Sequence, residues 1–402
     1  MTSPDALSSA PISPTAAPAD IAARATSTAQ PGLTTPPPAQ HTARVLGIIG
    51  VILLAVVGLF VLVYVVVSLG PDAFALAGVM ALVPLAIVFF GVRWIDRWEP
   101  EPRLAVVFAF LWGAAVAVIV ALVVGAGLDP FITLITQNNA DAYDFIGAAI
   151  QAPLVEESAK GLGLLVIFFA ARKYFDGPVD GIVYAAWIAG GFAFTENIFY
   201  FGGQLVESGS LTGDGVFEIF LIRGIMSPFA HVMFTSATGI ALGFATRLRS
   251  PFAGIGLFFV GLAPAMFLHA LWNGALFFVS DFYGYYFLIQ VPLFVISVVL
   301  VMFLRRQEER LTRARLDEYA AVGWFSPAEI PSLSTGAGRR QALAWAARFG
   351  KRRAMKQYIQ NATRLAFARQ RIITGRGGLG AQADEAALLG AIVESRASLA
   401  GS

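Results

Sequence analysis

Long apolar runs alternate with short polar segments from Val45 to about residue 304. A helix needs about 20 apolar residues to cross a bilayer, and eight runs reach that length. The pattern therefore predicts an all-α, polytopic membrane protein with eight transmembrane helices. The predicted spans are 45–68, 73–92, 104–127, 146–171, 182–202, 217–246, 253–279 and 284–304.

The two ends of the chain lack such runs. Residues 1–43 are rich in Pro, Ala, Ser and Thr, carry too little apolar surface to form a core, and are predicted to be a disordered cytoplasmic tail. Residues 44–304 are predicted to form the transmembrane core, and 305–402 a small helical cytosolic region. That region holds 17 Lys/Arg against 8 Asp/Glu, whereas residues 1–304 hold 11 against 18. We expect the basic region to face the anionic inner leaflet; it contains no recognisable nucleic-acid-binding motif.

Lys and Arg in the connecting segments predict the orientation, because positive residues concentrate on the cytoplasmic side of a membrane. The segments 69–72, 128–145, 203–216 and 280–283 contain neither residue. Both termini are therefore predicted to be cytoplasmic, in a multi-pass protein of the plasma membrane. The residues that define the cytoplasmic side are Arg44, Arg93, Arg97, Arg103, Arg172, Lys173, Arg247, Arg249, Arg305 and Arg306.

Charged and polar residues interrupt the fourth to seventh spans. A charge at the bilayer centre costs about 2.5–3.5 kcal/mol on insertion scales, so such residues indicate function or a partner. Residues four apart share a helix face, so Glu156 and Lys160 should align, with Glu157 turned about 100° away. The rise per residue places the polar side chains of the four spans at similar depth, in the middle to outer half of the membrane. They are Glu156, Glu157 and Lys160 on the fourth span, Glu196 and Asn197 on the fifth, Arg223, Ser227, His231 and Thr235 on the sixth, and His269 and Asn273 on the seventh.

These residue types are suited to hydrolysis. A buried glutamate can act as general base on water, and two histidines with a carboxylate match the ligands of catalytic Zn²⁺. Alternatively, the histidines and Asn273 could polarise a scissile carbonyl without metal; the sequence leaves both possibilities open. The chain has no cysteine, which excludes a thiol nucleophile, and neither a His-Glu-x-x-His motif nor a Gly-x-Ser-x-Gly motif around Ser227.

Two other functional classes are compatible with buried polar residues. A proton-coupled transporter uses intramembrane Glu and His as proton relays, but such transporters usually show internal repeats, and none is evident here. A non-catalytic membrane scaffold would not require two glutamates and two histidines at one depth.

The polar residues fall in motifs that resemble the PrsW-type intramembrane proteases, relatives of the CAAX prenyl endopeptidases. The resemblance covers roughly residues 45–304 and implies proteolysis of single-pass membrane proteins, such as an anti-sigma factor, in a bacterial cell. It makes Glu156, Glu157 and His269 essential and implies zinc, although the prenyl endopeptidases resemble glutamate-dependent hydrolases without a firm need for metal. The motifs are Glu156-Glu157-x-x-Lys160, Phe192-x-x-x-Glu196-Asn197, His231, His269-x-x-Trp272-Asn273, Asp96-Arg-Trp-Glu99-Pro-Glu101-Pro and Asp180-Gly181-Ile-Val-Tyr184.

Residue chemistry and resemblance together give the predicted site. Catalytic roles are expected for Glu156, Glu157, Lys160, Glu196, Asn197 and Asn273. His231 and His269 are expected to bind metal, or else to hold the oxyanion or transfer protons.

Overall fold

The computed structural model describes residues 38–209, 214–248, 251–375 and 378–400. Within these ranges the chain forms helices and short connections and no strand, which confirms the all-α prediction. Eight helices, α1 to α8, correspond in order to the predicted spans. They are α1 Pro38–Leu69, α2 Pro71–Ile95, α3 Arg103–Ile135, α4 Ala152–Ala170, α5 Pro178–Ser208, α6 Gly215–Ala245, α7 Pro251–Ala275 and α8 Phe282–Ala321.

Seven of these eight helices are long and apolar enough to cross a membrane, which confirms a polytopic membrane protein. The exception is α4, whose 19 residues include Glu156, Glu157 and Lys160. It packs against α3, α5, α6 and α7, so its charged residues face protein. The burial of α4 among apolar helices explains how it can carry three charges.

The beginning of the first helix differs from the sequence-based expectation. Residues 1–37 lie outside the described residues, and the last six residues of the predicted disordered tail, 38–43, are the beginning of α1. Proline is favoured at the first position of a helix, where no N–H is needed, and Pro38 takes that place.

The connection between the third and fourth spans is shorter than predicted. Helix α3 continues to Ile135, and the chain turns at Gln137 and Asn138, whose φ angles are +52° and +63°. A short helix, Ala140–Ile146, and a π-helical turn, Gly147–Gln151, then lead into α4. The third span was predicted to end at residue 127, but 131–135 are also mostly apolar and belong to the helix.

Helix α5 lies at the centre of the bundle. Of its most apolar 18-residue stretch, 72% is buried, against 11% for α1 and α8. Small residues bring α5 close to α6: a Cβ on Gly181 would lie 1.9 Å from the Gly239 carbonyl oxygen, and one on Gly239 2.1 Å from that of Gly181. Only glycine permits this approach, which places the polar residues of α5 and α6 next to each other.

The C-terminal region packs as a helical module on the end of α8, which continues without a break past residue 304. Four helices follow: α9 Glu329–Ser334, α10 Gly336–Arg348, α11 Arg352–Ile373 and α12 Gly378–Ala400. They surround an apolar core that includes Leu316 of α8, Leu333 and Leu365.

The module is tied to two segments at one end of the membrane bundle. Arg339 donates to the Trp98 carbonyl at 2.9 Å and stacks over the Trp98 ring, and Arg371 pairs with Asp176 at 2.5 Å. The segments after α2 and α4 therefore lie at the same end as the C-terminal module.

Candidate active site

The polar residues of α4, α5, α6 and α7 converge in the structure, as their predicted depths required. We call this group the intramembrane cluster: Glu156, Glu157, Lys160, Glu196, Arg223, His231 and His269. Lys160 is its centre and is fully buried. Its Nζ lies 2.8 Å from Glu157 Oε1, 3.2 Å from Glu156 Oε2 and 3.1 Å from His231 Nδ1. An ammonium has three N–H donors, so these three contacts use all of them.

Glu157 does not face away from Lys160 as the helical spacing suggested. Neighbours on a helix surface are three as well as four residues apart, and the long Lys160 side chain lies between both carboxylates. The two oxygens of Glu157 are fully engaged. Oε1 also contacts His269 Nδ1 at 3.1 Å, and Oε2 accepts from Thr235 Oγ1 at 2.8 Å.

The contacts of His231 determine which nitrogen carries its proton. Nδ1 faces the ammonium of Lys160 and must accept, so Nε2 donates, to Glu196 Oε2 at 2.9 Å. Arg223 forms an ion pair with the same Glu196 and donates from Nε to Asn197 Oδ1 at 3.0 Å. A neutral imidazole thus lies between a positive and a negative side chain.

His269 has the opposite arrangement. Its Nδ1 donates to the Glu157 carboxylate, which leaves Nε2 as the acceptor, 4.0 Å from Glu156 Oε2. The ring is 2% exposed and stacks on Phe234 with centroids 5.1 Å apart. The rings of His231 and His269 are perpendicular, with centroids also 5.1 Å apart.

Glu156 is the least constrained carboxylate of the α4 pair. Its side chain is 11% exposed, against 0% for Glu157. Its contacts to Lys160 and His269 are both made by Oε2. Glu156 is therefore the carboxylate of this pair with room to contact a further molecule.

Not every predicted site residue joins this group. Asn273 donates to the Ala148 carbonyl at 2.9 Å and so ties α7 to the turn before α4. Asn197 reaches the cluster only through Arg223. Ser227 donates to the Ile222 carbonyl at 2.6 Å, an intrahelical bond instead of a serine–histidine pair.

Two residues make more contacts in the site than the sequence indicated. Thr235 was visible on one helix stripe with His231, but its bond to Glu157 was not predicted. Arg223, which the sequence placed on the sixth span without a catalytic role, contacts Asn197 and lies over the Tyr200 ring, 3.7 Å from its centroid. The only sequence signal for the role of Thr235 was its i, i+4 spacing from His231.

The donor set suits a transition metal. One atom each of Glu156, His231 and His269 lies within 4.8 Å of the others, and two imidazoles with one carboxylate match catalytic zinc ligation. Glu157 and Glu196 accept from the remaining nitrogens of His269 and His231, as carboxylates do behind metal-binding histidines. Because Lys160 contacts two of the three donors, an ion would replace its bonds to Glu156 and His231.

Comparison with known proteins agrees with the motifs. A family model described as PrsW family intramembrane metalloprotease matches residues 101–301, a range that contains the whole intramembrane cluster. Protease PrsW of Clostridioides difficile is 32% identical over 162 residues, which cover 40% of this chain and 62% of that relative, less than two thirds of its length. Protease PrsW of Geobacillus kaustophilus is 29% identical over 197 residues, covering 48% of this chain and 75% of the relative. The Bacillus subtilis relative of the same name is 27% identical over 178 residues, covering 44% and 72%. No solved structure matches the chain.

Proposed function

The chain belongs to the PrsW family of intramembrane metalloproteases, and we propose that it hydrolyses peptide bonds of single-pass membrane proteins at the intramembrane cluster. The observation that carries the proposal is the meeting of Glu156, Glu157, His231 and His269 from three helices around one buried lysine. Such a group is costly in a membrane, and it combines a carboxylate with free space and an imidazole nitrogen that faces it. An anti-sigma factor is one example of such a substrate.

In the proposed mechanism Glu156 is the general base. Glu156 takes a proton from water, the oxygen attacks the scissile carbonyl carbon, and the same proton passes to the leaving amine as the C–N bond breaks. Lys160 is a positioning residue for Glu156, because its three N–H donors are engaged by Glu156 at 3.2 Å, by Glu157 and by His231. Glu157 is a positioning residue, because its oxygens hold Lys160, His269 and Thr235.

If a metal binds, it would be held by Glu156, His231 and His269, and Glu156 would then be a ligand instead of the general base. When bound, it would supply a Lewis acid that lowers the pKa of water. The protein residues behind it have the same task with or without metal: Glu157 and Glu196 orient the two imidazoles. Zinc is the ion proposed from this donor set.

We also propose that the protein lies in the plasma membrane with both termini in the cytoplasm. The connections after α2 and α4, which carry Lys and Arg, lie at the same end of the bundle as the C-terminal module, in agreement with the charge bias. A contact of the basic module with anionic lipid stays a prediction.

Cleavage of a defined probe tests the proposal. The probe is a tagged single-pass helix of about 20 Leu and Ala residues with one Gly-Pro pair that opens the helix. Purified protein in liposomes should cleave it, and Glu156→Gln should lower the rate by about 10²–10⁴-fold, the usual contribution of a general base. Glu101→Gln is the matched control. Counted over the whole residue, Glu101 and Glu156 are both 8% exposed, and Glu101 lies outside the site.

Full activity of Glu156→Gln would contradict the mechanism, and equal loss in both variants would mean that glutamate removal damages the fold. Metal content of the active protein, measured with and without chelator, tests zinc separately. Undiminished cleavage by a metal-free preparation would exclude the metal.

A further inference from the structure

Helix α6 is interrupted four residues before His231. Residues Leu221–Met226 form a π-helical turn, and the regular helix resumes only at Ala230. Pro228 lies in the gap and has no N–H to donate. Irregular backbone at membrane depth is found where it is buried in protein or lines a cavity, so the interruption indicates a cavity beside it.

A cavity of about 230 Å³ lies at this interruption. Its wall includes the 226–230 segment and side chains from three other helices, Ile87 of α2, Trp272 of α7 and Phe294 of α8. Ala230 of the wall precedes His231, and Trp272 is one turn beyond His269. The cavity therefore adjoins both histidine-bearing segments of the intramembrane cluster.

The chemistry of the wall selects an uncharged ligand. No Asp, Glu, Lys, Arg or His lines the cavity within the described parts of the chain. The hydroxyls of Ser227 and Tyr286 already donate to carbonyls, those of Ile222 at 2.6 Å and Met226 at 2.7 Å. An apolar group would thus lose no hydrogen bond with these hydroxyls and would bury its surface.

The size of the cavity limits the ligand further. Sites for drug-sized molecules occupy about 300–1,000 Å³, and 230 Å³ is below that range. The volume suits a single large side chain instead. Such a side chain would be presented by a substrate segment whose helix has opened near the cluster.

We propose that this cavity is a substrate subsite that takes one large apolar side chain, Leu or Phe in character, next to the scissile bond. The inference rests on the proposed proteolytic function and adds its side-chain specificity. Ile87 and Phe294 determine the width of the subsite from two helices that carry none of the cluster residues. The interruption at 227–229 lies alongside the opened substrate backbone.

The test uses the Gly-Pro probe in a series in which each residue near the opened turn is Ala, Leu, Phe, Trp or Asp. At one position wild-type protein should cleave the Leu and Phe probes at least about 10-fold faster, in kcat/KM, than the Ala probe, and should reject Asp. One methylene in an apolar pocket changes specificity by about 10–200-fold. Ile87→Phe, which narrows the cavity, should lower the Phe-to-Ala ratio about 10-fold.

Val83→Phe is the matched control, because Val83 lies one turn away on α2 and is 40% exposed outside the cavity. Phe294→Ala, which widens the cavity, should raise the rate for a Trp probe relative to Leu, so the proposal does not depend on one variant folding. If wild-type protein cleaves no probe, the proteolytic function itself is contradicted. If it cleaves all probes equally, or if Ile87→Phe and Phe294→Ala leave the preference unchanged, the function stands and the subsite is wrong.

Discussion

The protein has two buried groups of acidic residues, and they are stabilised differently. In the intramembrane cluster, Glu156 and Glu157 contact Lys160, and Glu196 contacts Arg223. Each carboxylate has a cation as a direct partner. A second group, which we call the boundary cluster, lies where the C-terminal module meets the membrane bundle; it comprises Glu99, Glu101, Asp176, Asp180 and Glu308.

The boundary cluster has more carboxylates than cations in direct contact. Arg371 pairs with Asp176, and the Tyr184 hydroxyl donates to Glu101 at 2.5 Å. Glu99 Oε2 is buried without a hydrogen-bond partner among the described residues. Burial, and then the charges of Asp176 and Asp180, raise the pKa of Glu99 well above its usual range. Burial, with the charge of Asp180 adding to it, does the same for Glu101.

The difference shows how the two environments neutralise charge. Outside the membrane-spanning segments, a buried carboxylate can take a proton from solution, and burial raises the pKa of Glu99 and Glu101 in that direction. Among the membrane helices, fixed ion pairs neutralise the carboxylates, which also keeps them in set positions. The boundary cluster has the features of a structural contact between the C-terminal module and the membrane bundle. The intramembrane cluster has those of a preorganised site.

Removal of the central lysine should give the largest effect. In Lys160→Met, Glu156 and Glu157 lose their cation, and breaking a buried pair costs about 3–5 kcal/mol. Lys173→Met is the matched control at the boundary, because Lys173 pairs with Asp384 but is 42% exposed. Such a pair contributes about 0–1 kcal/mol. Unfolding in detergent, followed by fluorescence, measures both.

A triple variant separates charge balance from catalysis. If Lys160→Met is combined with Glu156→Gln and Glu157→Gln, the buried charges of α4 are absent, and we expect stability to return without cleavage. If the single Lys160→Met variant were as stable as Lys173→Met, the intramembrane ion pairs would not have the role assigned to them.

Loss of one hydroxyl should give a smaller effect in each cluster. Thr235→Val removes the 2.8 Å bond to Glu157 Oε2, and a hydrogen bond to a charged group contributes about 1.5–3 kcal/mol. At the boundary, Thr246→Val removes bonds to the Gly243 and Asp176 carbonyls, which are neutral and contribute about 0.5–1.5 kcal/mol.

Measurements of cleavage by these two threonine variants distinguish a role in the reaction from a role in stability. Because Thr235 positions Glu157, Thr235→Val should lower kcat with little change in KM, whereas Thr246→Val should change stability alone. Equal kcat values for both variants would show that the orientation of Glu157 does not affect the reaction.

The sequence predicted the helices and their convergence better than it predicted individual contacts. Apolar length and the positions of Lys and Arg depend on local composition, so the eight helices and the convergence of Glu156, His231 and His269 could be anticipated. A helix stripe does not specify the rotation of a helix or its neighbour. For that reason the sequence could not predict the hydrogen bond of Asn273 to the Ala148 carbonyl or the ion pair of Arg223 with Glu196.

The boundary cluster was the larger omission. Glu99 and Glu101 were visible only as part of a motif that was given no role in the predicted site. Nothing in the local sequence linked the neighbouring Trp98 to Arg339, 241 residues later, or Asp176 to Arg371, 195 residues later. Those contacts depend on tertiary packing of the C-terminal module, which helical periodicity does not report.

The smallest predicted effect is a pH dependence of stability that belongs to the boundary cluster. The folded-state pKa of Glu99 is raised above 4.5, so the folded state binds more protons than the unfolded state in the interval between the two values. Stability is then greatest below pH 4.5 and falls as the pH rises toward the folded-state pKa, by at most about 1.4 kcal/mol per pH unit for one group. Glu99→Gln cannot ionise and should flatten the fall in melting temperature between pH 5 and 8. The slope should not vanish, because Asp96, with a pKa raised to about 6 by burial, also contributes.

Glu329→Gln is the control with the opposite sign: burial opposes ionisation of Glu329, but bonds from Tyr358 and Ser326 and the charge of Arg396 lower its pKa overall. That variant should lose stability at pH 7 and keep the wild-type slope between pH 5 and 8. An unchanged slope in Glu99→Gln would mean that Glu99 is ionised in the folded protein, and the boundary cluster would then depend on fixed ion pairs as the intramembrane cluster does.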